Sequence, residues 1–377
     1  MFDLMEGMSM RVSLSSKEQQ VLELIRENPF VSQQELSNQL GLSRSAVAYH
    51  ISALARKGQI VGRAYILPDR KGLVCIGGAN VDRKVRLHGP LRPGTSNPVR
   101  GMRTFGGVAR NIAENLARAG VEVSLLTAVG EDRDGEAILD HCRNSGVDVS
   151  LSTRWSGDET GSYTAVLEPG GEMALALADM EVLDRIDPSL LERLWPRIRS
   201  VETVIADTNL PPETLEELIR RCREDGVDLA IVPVSVPKAD RLPKDLTGVT
   251  VWVGNADEAS EIVGDGIREE VDGIEACRML RQRGVRHVVL TRGEAGVLYA
   301  DEENGEGALP GPVVEVVDVT GAGDAFAAGV IGSLHQGSDL ETACRTGLRF
   351  AKATLETEAS VAPGLGPGIW KEEGGKQ

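Results

Sequence analysis

The stretch "DVTGAGDAFAAG", Asp318–Gly329, decides how this chain is read. It follows an apolar, β-branched run, "PVVEVVDV" (312–319), and opens onto alanine, phenylalanine, valine and isoleucine residues that read as a helix. The expectation is a strand-to-helix junction. An ordinary tight turn needs one glycine. This one sets Gly321, Ala322 and Gly323 together, which leaves backbone N–H groups at the helix start bare and suited to an anion. Asp324 stands beside them, where an anion would repel it, and odd pairings of this kind often mark chemistry. An N-cap aspartate after a flexible loop is the plainer alternative. That alternative explains Asp324 but not the three small residues before it.

The whole chain has 377 residues, enough for two domains or one large one with an appendage. Hydrophobic residues make up 41%, so a sizeable core is available. No run of 18 apolar residues exists, which excludes a membrane-spanning helix. The start, "MFDLMEGMSM", lacks a basic segment followed by an apolar run, so no signal peptide is expected. Five scattered cysteines without a C-x-x-C pair suit a reducing, cytoplasmic setting and give no zinc spacing. The net charge of −16 is uneven. Residues 1–72 carry nine Lys and Arg against seven Asp and Glu, a net of +2, and the remainder carries 32 against 50, a net of −18. A weakly basic head on an acidic body points to two tasks, and the acidic body is not expected to bind nucleic acid non-specifically.

The head, residues 1–70, reads as three short helices and a hairpin. "SSKEQQVLELIREN" is capped by Ser15 or Ser16, and "SQQELSNQL" by Ser32. Gly41 fits the left-handed position of a tight helix–helix turn. In "SRSAVAYHISALARKG", Val47, Ile51 and Leu54 share one face, and Ser43, Arg44, Ser45, Tyr49 and His50 lie on or near the other. "QIVGRAYIL" reads as a β wing around Gly62. The arrangement resembles the winged helix-turn-helix DNA-binding domains of bacterial regulators. A plain three-helix dimerisation module is the alternative.

From Leu73 the pattern changes. "LVCIGGAN", "VEVSLLT", "VETVIAD", "VDLAIVPV", "VTVWV" and "RHVVLT" read as apolar strands, most of them separated by helical stretches, the signature of an α/β domain with a mostly parallel sheet covered on both faces. Residues 84–105 and 160–180 break the rule. The second reads as a hairpin, with Tyr163, Ala165 and Leu167 alternating before the turn "EPGGE" and Met173, Leu175 and Leu177 alternating after it. These segments are expected to form a small β lid. The α/β part is placed at 71–362, and the Gly-rich tail, 363–377, is expected to be disordered.

Two motifs carry a resemblance that covers about residues 73–362. "GGVARNIAENLARAG" and "DVTGAGD" stand in the order and separation of the ribokinase-like (PfkB) family of sugar and nucleoside kinases. The resemblance implies that Gly321, Ala322 and Gly323 hold the transferring phosphate and that Asp324 is the base for the attacking hydroxyl. It implies sugar contacts at Asn80 and Asp82 of "GGANVD" and at Gly107 and Asn111. For Asp82 a turn residue is the alternative. "GNADEA", with Asn255 and Glu258, resembles the family's N-x-x-E motif, which organises Mg2+ and phosphate through water; a simple helix start is the alternative. "TRGEAG", with Thr291, Arg292, Gly293 and Gly296, resembles the loop lining the ATP site. Asp318 and Thr320 resemble the family's monovalent-cation loop, so K+ is a further expectation.

Within the family, "TSNPVRGMRTFGGVARN", "ETGSYTAVLEPGGEMALALADM" and "VIADTNL" are similar to bacterial pseudouridine kinases. That makes Ser96, Asn97, Ser162, Tyr163 and Asp179 candidates for contacting the base. Asn97-Pro98 is also a good turn, and Tyr163 also fits as a packing residue. Two departures stand out. Val253-Gly254 replaces the family's Lys-Pro before the asparagine, so positive charge near the phosphates is missing or comes from Arg292. "VPVS" at 232–235 stands where pseudouridine kinases often read D-P-V-S. The expected protein is a cytoplasmic, dimeric, MgATP-dependent pseudouridine kinase whose head binds operator DNA. The alternatives are a kinase for adenosine, inosine or ribose, and a transcription regulator with a ligand-sensing kinase-like domain.

Overall fold

The computed structural model describes residues 14–27, 31–57, 60, 72–264, 270–301 and 305–371. The chain divides into two compact units, 1–67 and 68–377.

In the first unit, helices α1 (Ser16–Glu27), α2 (Gln33–Leu40) and α3 (Arg44–Arg56) close on Val21, Leu22, Leu36, Val47 and Leu54. Local chemistry sets each boundary. Ser32 and Glu35 form a reciprocal capping box at α2, and Ser15 and Glu18 exchange the same pair of bonds at α1. Gly41 ends α2 in the left-handed region at φ 62°, and Ser43 caps α3. Ser43, Arg44, Ser45 and Tyr49 are exposed, while His50 is half-buried with its ring edge-on to Tyr49. The expected wing, "QIVGRAYIL", lies almost wholly outside the described residues, as does Arg63 within it.

The second unit is built on strands β1 (Leu73–Ile76), β2 (Asn80–Leu87), β3 (Val99–Gly106), β4 (Val123–Leu126), β5 (Ala128–Gly130), β6 (Thr153–Trp155), β7 (Ser162–Leu167), β8 (Met173–Asp179), β9 (Thr203–Asp207), β10 (Asp228–Val232), β11 (Val251–Asn255), β12 (His287–Thr291), β13 (Val297–Asp301) and β14 (Gly305–Leu309). Eight of them form one sheet in the order β14-β13-β12-β11-β10-β9-β1-β4, parallel from β4 through β12 and antiparallel at β13 and β14. Side chains alternate between two cores. Leu73 and Cys75 face helices α4 (Val108–Arg118), α5 (Arg133–Asn144), α11 (Ala322–His335) and α12 (Leu340–Leu355). Val74 and Ile76 face α6 (Pro188–Ile198), α7 (Pro212–Asp225), α9 (Ala256–Val263) and α10 (Glu270–Gln282), with the short α8 (Val236–Ala239) between α7 and α9. Burial on both faces is why these strands read as unbroken apolar runs.

The lid is a separate four-stranded sheet, β3-β2-β7-β8. The hairpin β7–β8 forms as expected. The polar segment 84–105 is a hairpin too, β2 pairing antiparallel with β3 from Asn80↔Gly106 to Leu87↔Val99. The first strand therefore ends at Ile76, and Asn80 already belongs to the lid, where "LVCIGGAN" had read as one strand. Two further expectations are corrected. "PVVEVVDV" is not a strand: among the described residues it pairs with no other strand, its Val317 N–H donates at 2.8 Å to Leu355 O at the end of α12, and it exposes Val313, Val316, Val317 and Val319. The tail is ordered through Lys371. Pro367–Trp370 forms a 3-10 turn, Trp370 packs on Phe350 with ring centroids 5.0 Å apart, and its indole N–H donates to Ala119 O at 2.8 Å. One tryptophan anchors a segment whose composition suggested disorder.

Candidate active site

The site assembles at the carboxyl edge of the parallel sheet, where ligands bind in open α/β folds. β1 ends in Gly77-Gly78, and the tight backbone there has a specific cause. A side chain on Gly77 would run into the Asp207 carboxylate, which ends the adjacent strand β9. Asp207 accepts the backbone N–H groups of Gly78 (2.8 Å), Ala109 (3.0 Å) and Asn209 (2.9 Å). One buried carboxylate thereby ties β1, β9 and the start of α4. Burial pushes its pKa up, against those N–H bonds.

Gly107 precedes α4 at φ 101°, and any Cβ there would collide with Gly78 O. That close approach brings the "GGVARN" segment onto β1. Two consequences follow along α4. Arg110 and Glu114 form a buried ion pair at 2.5 Å, and Arg118 (2.7 Å) and His141 (3.0 Å) also reach Glu114. Burial opposes the Glu114 charge, but these partners outweigh it and hold the carboxyl down at about 2. On the neighbouring position, Asn111 Nδ2 donates to Asp324 Oδ2 at 2.6 Å, while its own Oδ1 accepts from Arg110.

Asp324 lies in the first turn of α11. Gly321 precedes that helix at φ 81°, where a Cβ would strike Ser360 O, and no side chain caps the first turn. A Cβ on Gly323 would meet only open space. The helix start is therefore accessible at Gly323, while Ala322 N–H turns back to Val319 O at 3.3 Å. The Asp324 carboxyl is pushed up to about 7, first by burial and also by the charges of Asp207 and Asp82, with Asn111 and Arg110 opposing. Asp324 is half-buried and keeps an open side.

Asn80 and Asp82 stand together on β2, Asn80 Nδ2 donating to Asp82 Oδ1 at 2.6 Å. Burial pushes the Asp82 carboxyl up, against Asn80, Arg110 and Lys84. In the lid, Asp82 is the cross-strand partner of Tyr163, and Ser162 is the partner of Asp179. These pairs form adjacent rows, so Asp82 and Tyr163 share one face of the lid and Ser162 and Asp179 the other. Ser96 and Asn97 do not join them. Asn97 closes its own turn, with Oδ1 accepting from Arg92 N (2.8 Å) and Nδ2 donating to Arg92 O and Thr95 O (both 2.9 Å).

Asn255 and Glu258 form a capping box at the start of α9: Asn255 Oδ1 accepts from Glu258 N, and Glu258 Oε2 from Asn255 N, both at 2.9 Å. Their spacing thus has a local structural role. Glu258 is buried and its carboxyl is pushed up, chiefly by that burial. No hydrogen bond among the described residues uses its Oε1. The donor set is oxygen only, which fits magnesium held through water. Asn255 pairs in register with Thr291, so Thr291, Arg292, Gly293 and Gly296 follow at the same edge. Gly293 and Gly296 both take positive φ, and a Cβ on Gly296 would collide with Leu309 O. Sequence reasoning left Asp207, Arg110 and Lys84 without roles. Asp207 had a signal, an acidic residue closing the strand in "VIADTNL", but its partners become visible only in the fold.

A glycine-flanked helix start with an adjacent aspartate of raised pKa, near an amide–carboxylate pair on the β lid, is the candidate active site of this fold. The profile of the pfkB family of carbohydrate kinases matches residues 70–364, and the chain belongs to that family. The winged helix-turn-helix DNA-binding profile matches residues 14–61. Among relatives, the uncharacterized sugar kinase YeiI of Escherichia coli is 32% identical over 90% of this chain and 92% of its own. The pseudouridine kinase of the same organism is 32% identical over 79% and 94%. The guanosine-inosine kinase of Exiguobacterium acetylicum is 30% identical over 78% and 97%. Among solved structures, a carbohydrate kinase from Agrobacterium tumefaciens superposes with a TM-score of 0.69 at 31% identity, covering 80% of this chain and 95% of that one.

Proposed function

We propose that the protein phosphorylates the ribose 5-hydroxyl of pseudouridine with MgATP, giving pseudouridine 5′-phosphate, and that its first 67 residues bind operator DNA. The observation that carries the kinase reading is the Asn111–Asp324 bond at the foot of α11. It orients a carboxylate whose pKa near 7 suits a general base working at neutral pH. Asp324 takes the proton of the attacking hydroxyl on the oxygen that Asn111 leaves open. The N–H groups at Gly321 and Gly323, and that of Ala322 once it leaves Val319 O, receive the negative charge of the transferring group. Asn80 and Asp82 accept and donate to the vicinal hydroxyls, which fixes the ring so that the 5-hydroxyl faces Asp324. Gly107 sets the backbone that carries Asn111 to the same sugar. Thr291, Arg292, Gly293 and Gly296 line the nucleotide side, with the exposed valines before Asp318 offering apolar surface to a base. Asn255 and Glu258 would hold magnesium through water, where it would neutralise phosphate charge.

The choice of pseudouridine is supported by the Escherichia coli relative and by Tyr163, the cross-strand partner of Asp82 on the same face of the lid. Five buried, unbridged cysteines support a cytoplasmic setting. Edge strand β8 exposes Met173, Leu175 and Leu177 at 61, 45 and 56%, an apolar stripe that supports a homodimer. The deciding experiment is a panel of pseudouridine, uridine, inosine, guanosine, adenosine and ribose with MgATP and purified protein. Pseudouridine should have the highest kcat/KM. Preference for inosine or guanosine would replace the substrate and leave the site chemistry standing, and no turnover of any would remove the enzyme reading.

A further inference from the structure

The residues that resemble a monovalent-cation loop are already occupied from within the chain. Lys84, on lid strand β2, donates from Nζ to Asp318 Oδ2 at 2.8 Å and to Thr320 Oγ1 at 2.7 Å. The acceptors are themselves linked. Asp318 Oδ1 accepts the backbone N–H of Thr320 at 2.8 Å and its hydroxyl at 2.7 Å. The result is a closed ring of three side chains placed one residue before Gly321. Lys84 and Asp318 are mostly covered, at 29 and 25% side-chain exposure. They sit in a cleft of about 980 Å³ between the lid and the loop before α11, which also holds Asp82 and Tyr163.

We propose that the Lys84 ammonium takes the place of a monovalent cation on the Asp318–Thr320 pair, so that this kinase works without potassium and receives the charge with its lid. An ammonium and a potassium ion carry the same charge, and both seek carboxylate and hydroxyl oxygens. Asp318 needs one positive neighbour in this half-covered place and has it. A second cation on the same two oxygens would meet Lys84 within a few ångströms, and like charges that close repel strongly at reduced dielectric. The difference from a bound ion is mechanical. An ion from solution leaves the loop independent of the lid, whereas Lys84 joins β2 to the residue that leads into the anion-binding turn. Lid position and the geometry of Gly321–Gly323 are thereby coupled. The inference rests on membership of the kinase family and not on which nucleoside is accepted.

The test varies the salt at constant ionic strength. Initial rates with pseudouridine and MgATP, and thermal unfolding midpoints without substrate, are measured in potassium, sodium and choline chloride. The wild type should give rates equal within about two-fold and the same midpoint in all three. Lys84→Met should lose at least ten-fold in choline chloride, recover part of that loss in potassium or ammonium chloride, and gain a potassium-dependent rise in its midpoint. Lys84→Arg, which keeps the charge, guards against misfolding of the methionine variant and should remain insensitive to potassium. A wild type that potassium activates or stabilises several-fold over choline would overturn the proposal. So would a Lys84→Met variant that is fully active in choline chloride, or one that no cation rescues or stabilises. The unfolding measurement needs no nucleoside, so an error in the substrate and an error in this inference give different results.

Discussion

Asn111 Nδ2 donates to Asp324 Oδ2 at 2.6 Å, and this bond joins two motifs separated by 213 positions in the chain. Each motif alone has a modest explanation, a glycine turn before a helix and an aspartate in a first turn. Together they give one oriented carboxylate beside a bare helix start. The orientation matters, because a general base must lie within hydrogen-bond reach of the proton it takes.

Asp324→Asn should lower kcat by ~10²–10⁴ while nucleoside affinity stays within a few-fold, since the amide keeps the shape but cannot accept the proton. Steady-state kinetics with equilibrium binding of the nucleoside measure both. Wild-type kcat in the variant would show that Asp324 is only a structural residue.

The raised pKa of Asp324 sets a pH dependence. The base works ionised, so kcat/KM should rise with pH through about 7 and then level. Stability runs the other way. A carboxyl whose folded pKa is about 7 binds its proton more tightly folded than unfolded, so its contribution is full below about pH 4 and declines as pH rises to about 7. Asp324→Asn should therefore stabilise the protein at pH 8, by on the order of 1–2 kcal/mol after discounting for the open side of the carboxyl, and much less at pH 4. Urea titrations at the two pH values decide it; equal effects at both would refute the shifted pKa.

Glu114→Ala should be strongly destabilising. It leaves Arg110 buried with its main ionic partner gone, which typically costs about 3–5 kcal/mol. The same change should loosen Asn111, whose Oδ1 leans on Arg110, so kcat should fall as well. A loss below about 1 kcal/mol in a urea titration would mean that water reaches Arg110.

The lid residues should separate by role. Alanine at Tyr163, on the Asp82 face, should lower kcat/KM for pseudouridine more than for ribose, and alanine at Ser162 or Asp179, on the other face, should do so less, because an unpaired polar group at the base edge discriminates strongly. Asn97→Ala should affect both substrates alike, since Asn97 is spent on its own turn. Equal losses for all four variants would count against base reading by β7 and β8.

Deleting residues 1–67 should leave kinase activity intact and abolish binding to DNA from upstream of the gene, measured by gel shift. The net charge of +2 is slight for DNA, so binding should need a dimer presenting two α3 helices about 34 Å apart. Arg44 and Tyr49 are exposed for it, whereas Lys57 is tied to Glu18 at 2.8 Å and should contribute less. Alanine at Arg44 should weaken the shift more than alanine at Lys57. Pseudouridine or its phosphate should change the shift if either favours one arrangement of the two units. No salt-sensitive preference for that DNA, with or without ligand, would leave the first unit as a dimerisation module.

The primary sequence by itself determined the two units, the run of parallel strands and the two kinase motifs. Those signals are local: apolar periodicity, caps at Ser32 and Ser43, and glycines just before helices, such as Gly107 and Gly321. Only the tertiary structure decided that Asp207 ties β1 to α4, that Glu114 neutralises Arg110 behind Asn111, and that Lys84 reaches Asp318 across 234 positions. It also decided that "PVVEVVDV" joins no strand among the described residues and that Trp370 holds the tail. In each case a side chain's role depends on which partner the fold delivers to it. A β-branched run becomes a strand only beside a free edge, and a charge becomes structural only when its counter-charge is brought within a few ångströms.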